Sequence, residues 1–170
     1  MNEDLKFTLT EVNGWLRYAE TKNAGLLALN IGAIVGVLKL DQVFAADEKI
    51  FENLLIFLFG VSACICMYSI NPITKKGFRF FKKMENEKFQ QLKSSINLLF
   101  FKDIAELSTA QYIELFESKH GVSLSEPERD FGDQITNNAE IALQKHSLFR
   151  IASWICLAAL VLAIFVLVAR

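Results

Sequence analysis

The sequence lacks the short motifs that mark most enzymes and metal-binding proteins. No glycine-rich phosphate loop, nucleophile elbow or H-E-x-x-H sequence is present. The two histidines, His120 and His146, stand at no metal-ligand spacing from a cysteine or a carboxylate, and His146 is interpreted as a structural residue on a helix face. The sequence therefore predicts a protein that is not an enzyme and that has no metal site and no cofactor.

Cysteine and net charge are also scarce. The three cysteines, Cys64, Cys66 and Cys156, all lie inside apolar blocks, so they are interpreted as small apolar residues rather than as a disulfide framework. The formal net charge is −1, which gives no overall attraction to nucleic acid. No run of residues has the pattern of a strand, and there is no internal repeat. These absences predict an all-α protein without a nucleic-acid partner.

The apolar residues are concentrated in three blocks. They make up 52 % of the chain, and the blocks are residues 24–40, 54–70 and 151–169. A helix needs about 20 apolar residues to cross ~30 Å of hydrocarbon, with a range of roughly 17 to 25. The third block carries no charge at all. The pattern predicts an all-α membrane protein with three transmembrane helices. Asn71 and Pro72 stop the second helix after its span, because the residue before a proline disfavours helix.

Basic residues follow the second span and set the predicted topology. They are Lys75, Lys76, Arg79, Lys82 and Lys83. Lysine and arginine close to a span mark the cytoplasmic side. Residues 1–23 are therefore predicted to form a cytoplasmic amphipathic helix, 41–53 a short external loop, and 71–150 a cytoplasmic helical domain. The cluster itself has two interpretations, attraction to anionic lipid or capture of a phosphate by Arg79.

Spacing patterns divide the polar parts into helices. An apolar stripe from Leu5 to Ala19 predicts a helix that runs on into the first span. A second stripe predicts one long amphipathic helix over residues 78–107. Capping boxes at residues 108–111 and 125–128 predict two further helix starts, and Gly121 predicts a helix end. The last helix meets no break and is expected to continue through the third span.

Two groups of residues suggest how the spans work. Gly32 and Gly36 fit the small-x-x-x-small pattern of close helix contact, and Asn30 lies near mid-membrane, where an amide needs a partner. All three are predicted to serve in oligomer packing or in lining a pore. Lys22, Asn71 and Lys145 each adjoin a span at its cytoplasmic end. They could bind a ligand, pair with lipid headgroups or gate a path, or the lysines could simply extend toward water.

Residues 97–112 carry a family resemblance. This stretch, N-L-L-F-F-K-D-I-A-E-L-S-T-A-Q-Y, resembles a run found in the small transmembrane effectors of bacterial Pycsar antiphage systems. The matching residues are Phe100, Phe101, Asp103, Ile104, Ala105, Leu107, Ser108 and Tyr112. Residues 19–22 and 133–145 are similar to further elements of that family. The chain departs from the family pattern at Glu20, where Asp is usual, and at Ile73, where a basic residue often stands.

The resemblance implies a membrane effector that is activated by a cyclic pyrimidine nucleotide, cCMP or cUMP. A partner cyclase makes this ligand during phage infection, and the active effector impairs the bacterial inner membrane. A homo-oligomer in the bilayer is the expected form. Candidate ligand contacts are Lys22, Arg79 and Lys145 for the phosphate and Trp15 and Tyr112 for the base. Two alternatives remain open, a membrane-anchored helical scaffold that recruits a soluble protein and a small constitutive channel without a ligand.

Overall fold

The computed structural model of the protein describes residues 3–39, 49–71 and 83–168, and within these ranges it is built from helices without strands. Three of the helices are long and apolar enough to cross a membrane, which confirms the predicted all-α class with three candidate spans. The elements are α1 Glu3–Lys39, α2 Lys49–Ile70, α3 Asn86–Leu92, α4 Phe101–Glu106, α5 Thr109–His120 and α6 Glu126–Val168.

The chain divides into two units. Residues 1–19 and 73–144 form the first, called here the polar unit, and residues 20–72 and 145–170 form the second, called the apolar unit. Helices α1 and α6 each contribute a segment to both. As predicted, neither helix ends where its apolar span begins, and α6 extends over 43 residues.

The core of the polar unit forms around α5. Tyr112 and Phe116 of α5 are fully buried, and the start of α1 supplies Leu5 and Val12, which are also fully buried. The apolar stripe predicted for α1 is thus covered by other helices of the same unit. Residues recurring at spacings of three and four lie on one helix face, so a single stripe is enough to hold α1 in this core.

The helix predicted over residues 78–107 is wrong for its described part. Helix α3 ends at Leu92 and α4 begins at Phe101. Between them the Asn97 side chain accepts a hydrogen bond from Leu99 N at 2.9 Å, and Asn97 N donates to the Asp103 carboxylate at 2.9 Å. Such short-range side-chain bonds offer the backbone an alternative to helix.

The predicted helix ends of the polar unit are confirmed. Ser108 and Gln111 form both hydrogen bonds of the capping box that opens α5. Gly121 closes α5 in the left-handed conformation with φ 65°. At the start of α6, Glu128 accepts the Ser125 N–H at 3.0 Å.

The apolar unit packs with a regular seven-residue spacing. Six buried residues of α2 alternate spacings of three and four along the helix, and they are Glu52, Leu55, Phe59, Ser62, Cys66 and Ser69. Buried residues recur every seven positions in the facing segments of α1 and α6 as well, and they are Asn23, Asn30, Val37, Lys145, Ala152, Ala159 and Val166. This spacing is typical of helices that cross at a shallow, left-handed angle.

Candidate functional site

The Lys145 ammonium is buried where three helices of the apolar unit meet. Its Nζ donates to the backbone oxygen of Ser69 at 2.8 Å and lies 3.0 Å from Glu20 Oε1. The Lys145 side chain is 3 % exposed, whereas that of Glu20 is 45 % exposed. The lysine therefore belongs to the interior, and the carboxylate that neutralises it lies at the edge.

Lys145, Ser69 and Glu20 form what is called here the first polar layer, and neighbouring polar groups complete it. Asn23 is fully buried, and its amide nitrogen donates to the Lys145 backbone oxygen at 3.3 Å. The Lys22 ammonium lies 5.3 Å from the centre of the Phe149 ring, which is a cation–π contact. Of the three residues expected at the mouth of the spans, Lys145 lies inside the layer and Lys22 lies on Phe149. The Asn71 side chain is exposed.

This layer suits two kinds of chemistry. An ammonium that is buried with one backbone acceptor and one exposed carboxylate can exchange that carboxylate for another anion, such as a phosphate. Alternatively, the pair can hold the helices together, because removing one partner of a buried ion pair leaves an uncompensated charge and costs about 3–5 kcal/mol. Since Glu20 is partly exposed, its removal should cost less than the removal of a fully buried partner.

A second polar layer lies deeper in the unit. Asn30 Nδ2 donates to Ser62 Oγ at 2.9 Å and to the backbone oxygen of Leu26 at 2.8 Å, and Ser62 Oγ donates to Ala152 O at 2.9 Å. Asn30, Ser62 and Ala152 each lie seven residues from a member of the first layer, about 10 Å along the helix. Asn30 is fully buried. The Asn30 amide nitrogen thus has a partner in α2 of its own chain, and the predicted role of Asn30 in oligomer packing or pore lining stays a prediction.

Unlike Asn30, Gly32 and Gly36 have no neighbour from another described part of the chain close to them. A methyl group placed on either glycine would meet no atom within 4 Å among the described residues. That part of α1 is therefore open in the single chain. The role of these glycines in packing between copies stays a prediction.

The two predicted aromatic contacts lie in the polar unit. Trp15 is partly buried, with its ring centroid 5.3 Å from that of Phe101 and 6.4 Å from that of Tyr18. Tyr112 is fully buried, 6.1 Å from Phe116 between ring centroids. Burial raises the pKa of the Tyr112 hydroxyl. As ligand contacts, both residues stay predictions.

The predicted basic cluster is described only at Lys83. Its Nζ lies 2.9 Å from Glu140 and donates to Ala105 O at 2.9 Å, so this lysine is engaged within the polar unit. Arg79, the candidate for phosphate capture, lies outside the described residues.

Sequence reasoning missed several members of the two layers. Ser62 and Ser69 are serines within an apolar span, and Asn23 lies seven residues before Asn30. Ser62 and Ser69 lie seven residues apart and so share one helix face, but most other residues of α2 are apolar, so no periodicity marks that face as the buried one. The contact between Glu20 and Lys145 joins residues 125 positions apart, and no local pattern marks it.

Comparison with known proteins gives a family match that covers nearly the whole chain. The family described as the Pycsar effector protein domain matches residues 4–170. The match takes in the described parts of both units and all members of the two polar layers. No curated protein and no solved structure matches the chain.

Proposed function

Because the chain belongs to the Pycsar effector protein family, we propose that it is an antiphage membrane effector switched on by a cyclic pyrimidine nucleotide, cCMP or cUMP. A partner cyclase supplies the nucleotide during infection. The active effector, a homo-oligomer in the bacterial inner membrane, impairs the integrity of that membrane. Residues 1–23 and 71–150 face the cytoplasm, where the nucleotide is made.

The Lys145–Glu20 pair is the observation that supports this proposal most directly. A charged lysine buried among candidate spans is costly to keep and is by default a sign of function. Its partner carboxylate is partly exposed, so an anion from solution has access to the edge of the pair. A cyclic nucleotide carries one phosphodiester anion, which matches the single positive charge of the lysine.

Activation follows from differential binding. A ligand shifts a protein between two arrangements only as far as it binds one of them better. A nucleotide phosphate that takes the place of Glu20 on Lys145 would favour an arrangement in which α1 is released from this contact. Lys22 and Arg79 are further candidates for the phosphate, and Trp15 and Tyr112 are candidates for the base.

The proposal is tested by measuring membrane potential in bacterial cells that express the protein with an active cyclase. We expect depolarisation when cCMP or cUMP accumulates and a normal potential with a cyclase inactivated in its catalytic site. A normal potential in the presence of accumulated nucleotide would contradict the proposal and favour the scaffold alternative. Depolarisation with the inactive cyclase would favour a constitutive channel.

Binding is measured separately on the purified full-length protein. We expect cCMP or cUMP to raise its unfolding temperature, whereas linear CMP and UMP, which lack the cyclic phosphodiester, leave it unchanged. The Lys22→Gln and Lys145→Gln variants should show a smaller shift. Equal shifts in all three proteins would exclude both lysines as phosphate contacts.

A further inference from the structure

We propose that the two polar layers inside the apolar unit line the path by which ions cross the membrane, and that this structure is the closed form of that path. The inference rests on the proposed function, since it presupposes that the active effector permeabilises a membrane. It adds which residues meet the permeating ions. Opening then requires that the Asn30–Ser62 and Lys145–Ser69 contacts separate and admit water.

The outward surface of the apolar unit offers a poor lining for a pore. Large apolar side chains are well exposed along all three spans, for example Val35, Phe57 and Phe165, the last at 67 %. Hydrophobic constrictions expel water and so close a pore to ions. By contrast, Asn30, Ser62 and Ser69 are fully buried. These three side chains, which could hydrate an ion, therefore lie inside the unit.

Two oxygen atoms of these buried side chains lack a hydrogen-bond partner among the described residues. Asn30 Oδ1 and Ser69 Oγ make no hydrogen bond to the described residues. A polar atom without a partner is especially costly in a hydrocarbon environment. Water entering between the helices would satisfy both atoms, so the closed form already favours hydration at two points along its interior.

Buried charges of opposite sign mark the two ends of the path. Lys145 is 2 % exposed beside Ser69, and Glu52 is 5 % exposed with its carboxylate 3.2 Å from Lys49. Glu52 and Ser69 are separated by 17 positions of α2, about 26 Å at 1.5 Å per residue. This length approaches the thickness of the hydrocarbon core. Between Ser62 and Glu52 the interior of the unit is apolar, with Leu55 and Phe59 buried there, and such a stretch keeps ions out of the closed form. Ions that follow the path once it opens would pass both charges.

The first test uses ion selectivity. The purified full-length protein is placed in planar bilayers with cCMP or cUMP under a potassium chloride gradient, and the reversal potential is measured. Lys145→Gln removes a positive charge and should raise the potassium-to-chloride permeability ratio severalfold. Glu52→Gln should lower that ratio. Lys145→Arg keeps the charge and should retain the wild-type value.

The outcomes separate clearly. Opposite shifts in the two charge variants support the path. A permeability ratio that is unchanged in both variants overturns it, because ions would then pass elsewhere, for example between copies. If the Lys145→Gln variant no longer responds to nucleotide, the permeability ratio of Glu52→Gln decides alone: a lower ratio supports the path and an unchanged ratio overturns it.

The second test uses thiol labelling in cells. Cys64, Cys66 and Cys156 are replaced by alanine, and Ser62→Cys is then introduced. We expect a membrane-impermeant thiol reagent to label position 62 only after the cyclase is induced. Phe57→Cys is the matched control on the same helix, because Phe57 is 64 % exposed on the outward face and should stay unlabelled.

Failure of the path and failure of the proposed function give different results. If cells depolarise on induction but position 62 stays unlabelled, the path is overturned and the effector function stands. If the nucleotide accumulates without depolarisation, the proposed function fails and the path fails with it.

Discussion

At the scale of single residues, Asn30 shows how polar groups hold the apolar unit together. Its amide nitrogen bonds once within α1 and once to Ser62 of α2. Only the second bond joins two helices. Hydrogen bonds of this type between membrane helices average about 0.6 kcal/mol and reach at most about 1.7 kcal/mol.

A double-mutant cycle should detect that bond. We expect Asn30→Ala and Ser62→Ala to show a coupling energy of about 0.6 kcal/mol or more when unfolding is measured in detergent. Ser153→Ala is the control partner for Asn30→Ala, because the Ser153 hydroxyl bonds to Phe149 O of its own helix. Equal coupling in the two cycles would show that the Asn30–Ser62 bond contributes no specific energy.

Tyr112 gives the polar unit a dependence on alkaline pH. Burial raises the pKa of its hydroxyl above the ordinary value of 10.0, so the folded state holds this proton more tightly than the unfolded state. The stabilisation is complete below pH ~10 and is lost as pH rises toward the folded pKa, by up to ~1.4 kcal/mol per pH unit. The free energy of unfolding begins to fall near the pKa that the hydroxyl has in the unfolded state.

Replacing Tyr112 should reduce this loss. We expect the free energy of unfolding of Tyr112→Phe to fall less than that of the wild type between pH ~10 and pH ~11, with both measured by circular dichroism. Tyr18→Phe is the control, because Tyr18 is 49 % exposed, and it should follow the wild type. If both variants follow the wild type, burial of the Tyr112 hydroxyl does not control alkaline unfolding.

At the residue scale, the sequence predicted positions better than it predicted partners. Lys145 was expected near the end of a span because it lies six residues before an apolar block. Its bonds to Ser69 and Glu20 depend on how three helices are rotated against one another, and one sequence does not reveal those rotations. The Asn30 amide likewise needed a partner, and the residue that supplies it, Ser62 of α2, depends on the same rotations.

At the scale of elements, the helix ends were predictable because their chemistry is local. A capping box needs only residues three positions apart, as at Ser108 and Gln111. The break between α3 and α4 depends on Asn97 bonding to Asp103, six positions away, while the apolar stripe continues through it. Periodicity alone therefore joined two helices that the structure separates.

Two glycines of the polar unit predict opposite effects of one substitution. Gly121 has φ 65°, where a side chain costs about 1–2 kcal/mol. Gly14 lies inside α1 and would place a methyl group within 4 Å of no described atom, so alanine there should add about 1 kcal/mol of stability. We expect Gly121→Ala to lower the unfolding temperature and Gly14→Ala to raise it. Shifts of the same sign would contradict this account.

At the scale of the whole molecule, the order of the helices predicts a topology. Asn23 bonds to Lys145, while Asn30 and Ala152 both meet Ser62. In the apolar unit α1 and α6 therefore run in the same direction and α2 runs opposite. If all three helices cross the membrane, residues 1–19 and 83–144 lie on one side of it.

Reporter fusions test that topology. Alkaline phosphatase, which is active only outside the cytoplasm, should be inactive when fused after residue 120. It should be active when fused after residue 52 or residue 170, and a cytoplasmic reporter should give the reverse pattern. Activity after residue 120 would invert the predicted orientation and place the 71–150 segment away from the nucleotide.

The seven-residue spacing of the apolar unit has a consequence for how its helices find their alignment. A bundle with only apolar side chains would present a similar surface after a helix slid by two turns, so several alignments would have nearly equal energy. Polar residues at such positions fix one alignment at some cost in stability. In this chain a slipped α2 would separate Asn30 from Ser62 and Lys145 from Ser69. These pairs therefore fix the position of each span along its axis relative to the other spans.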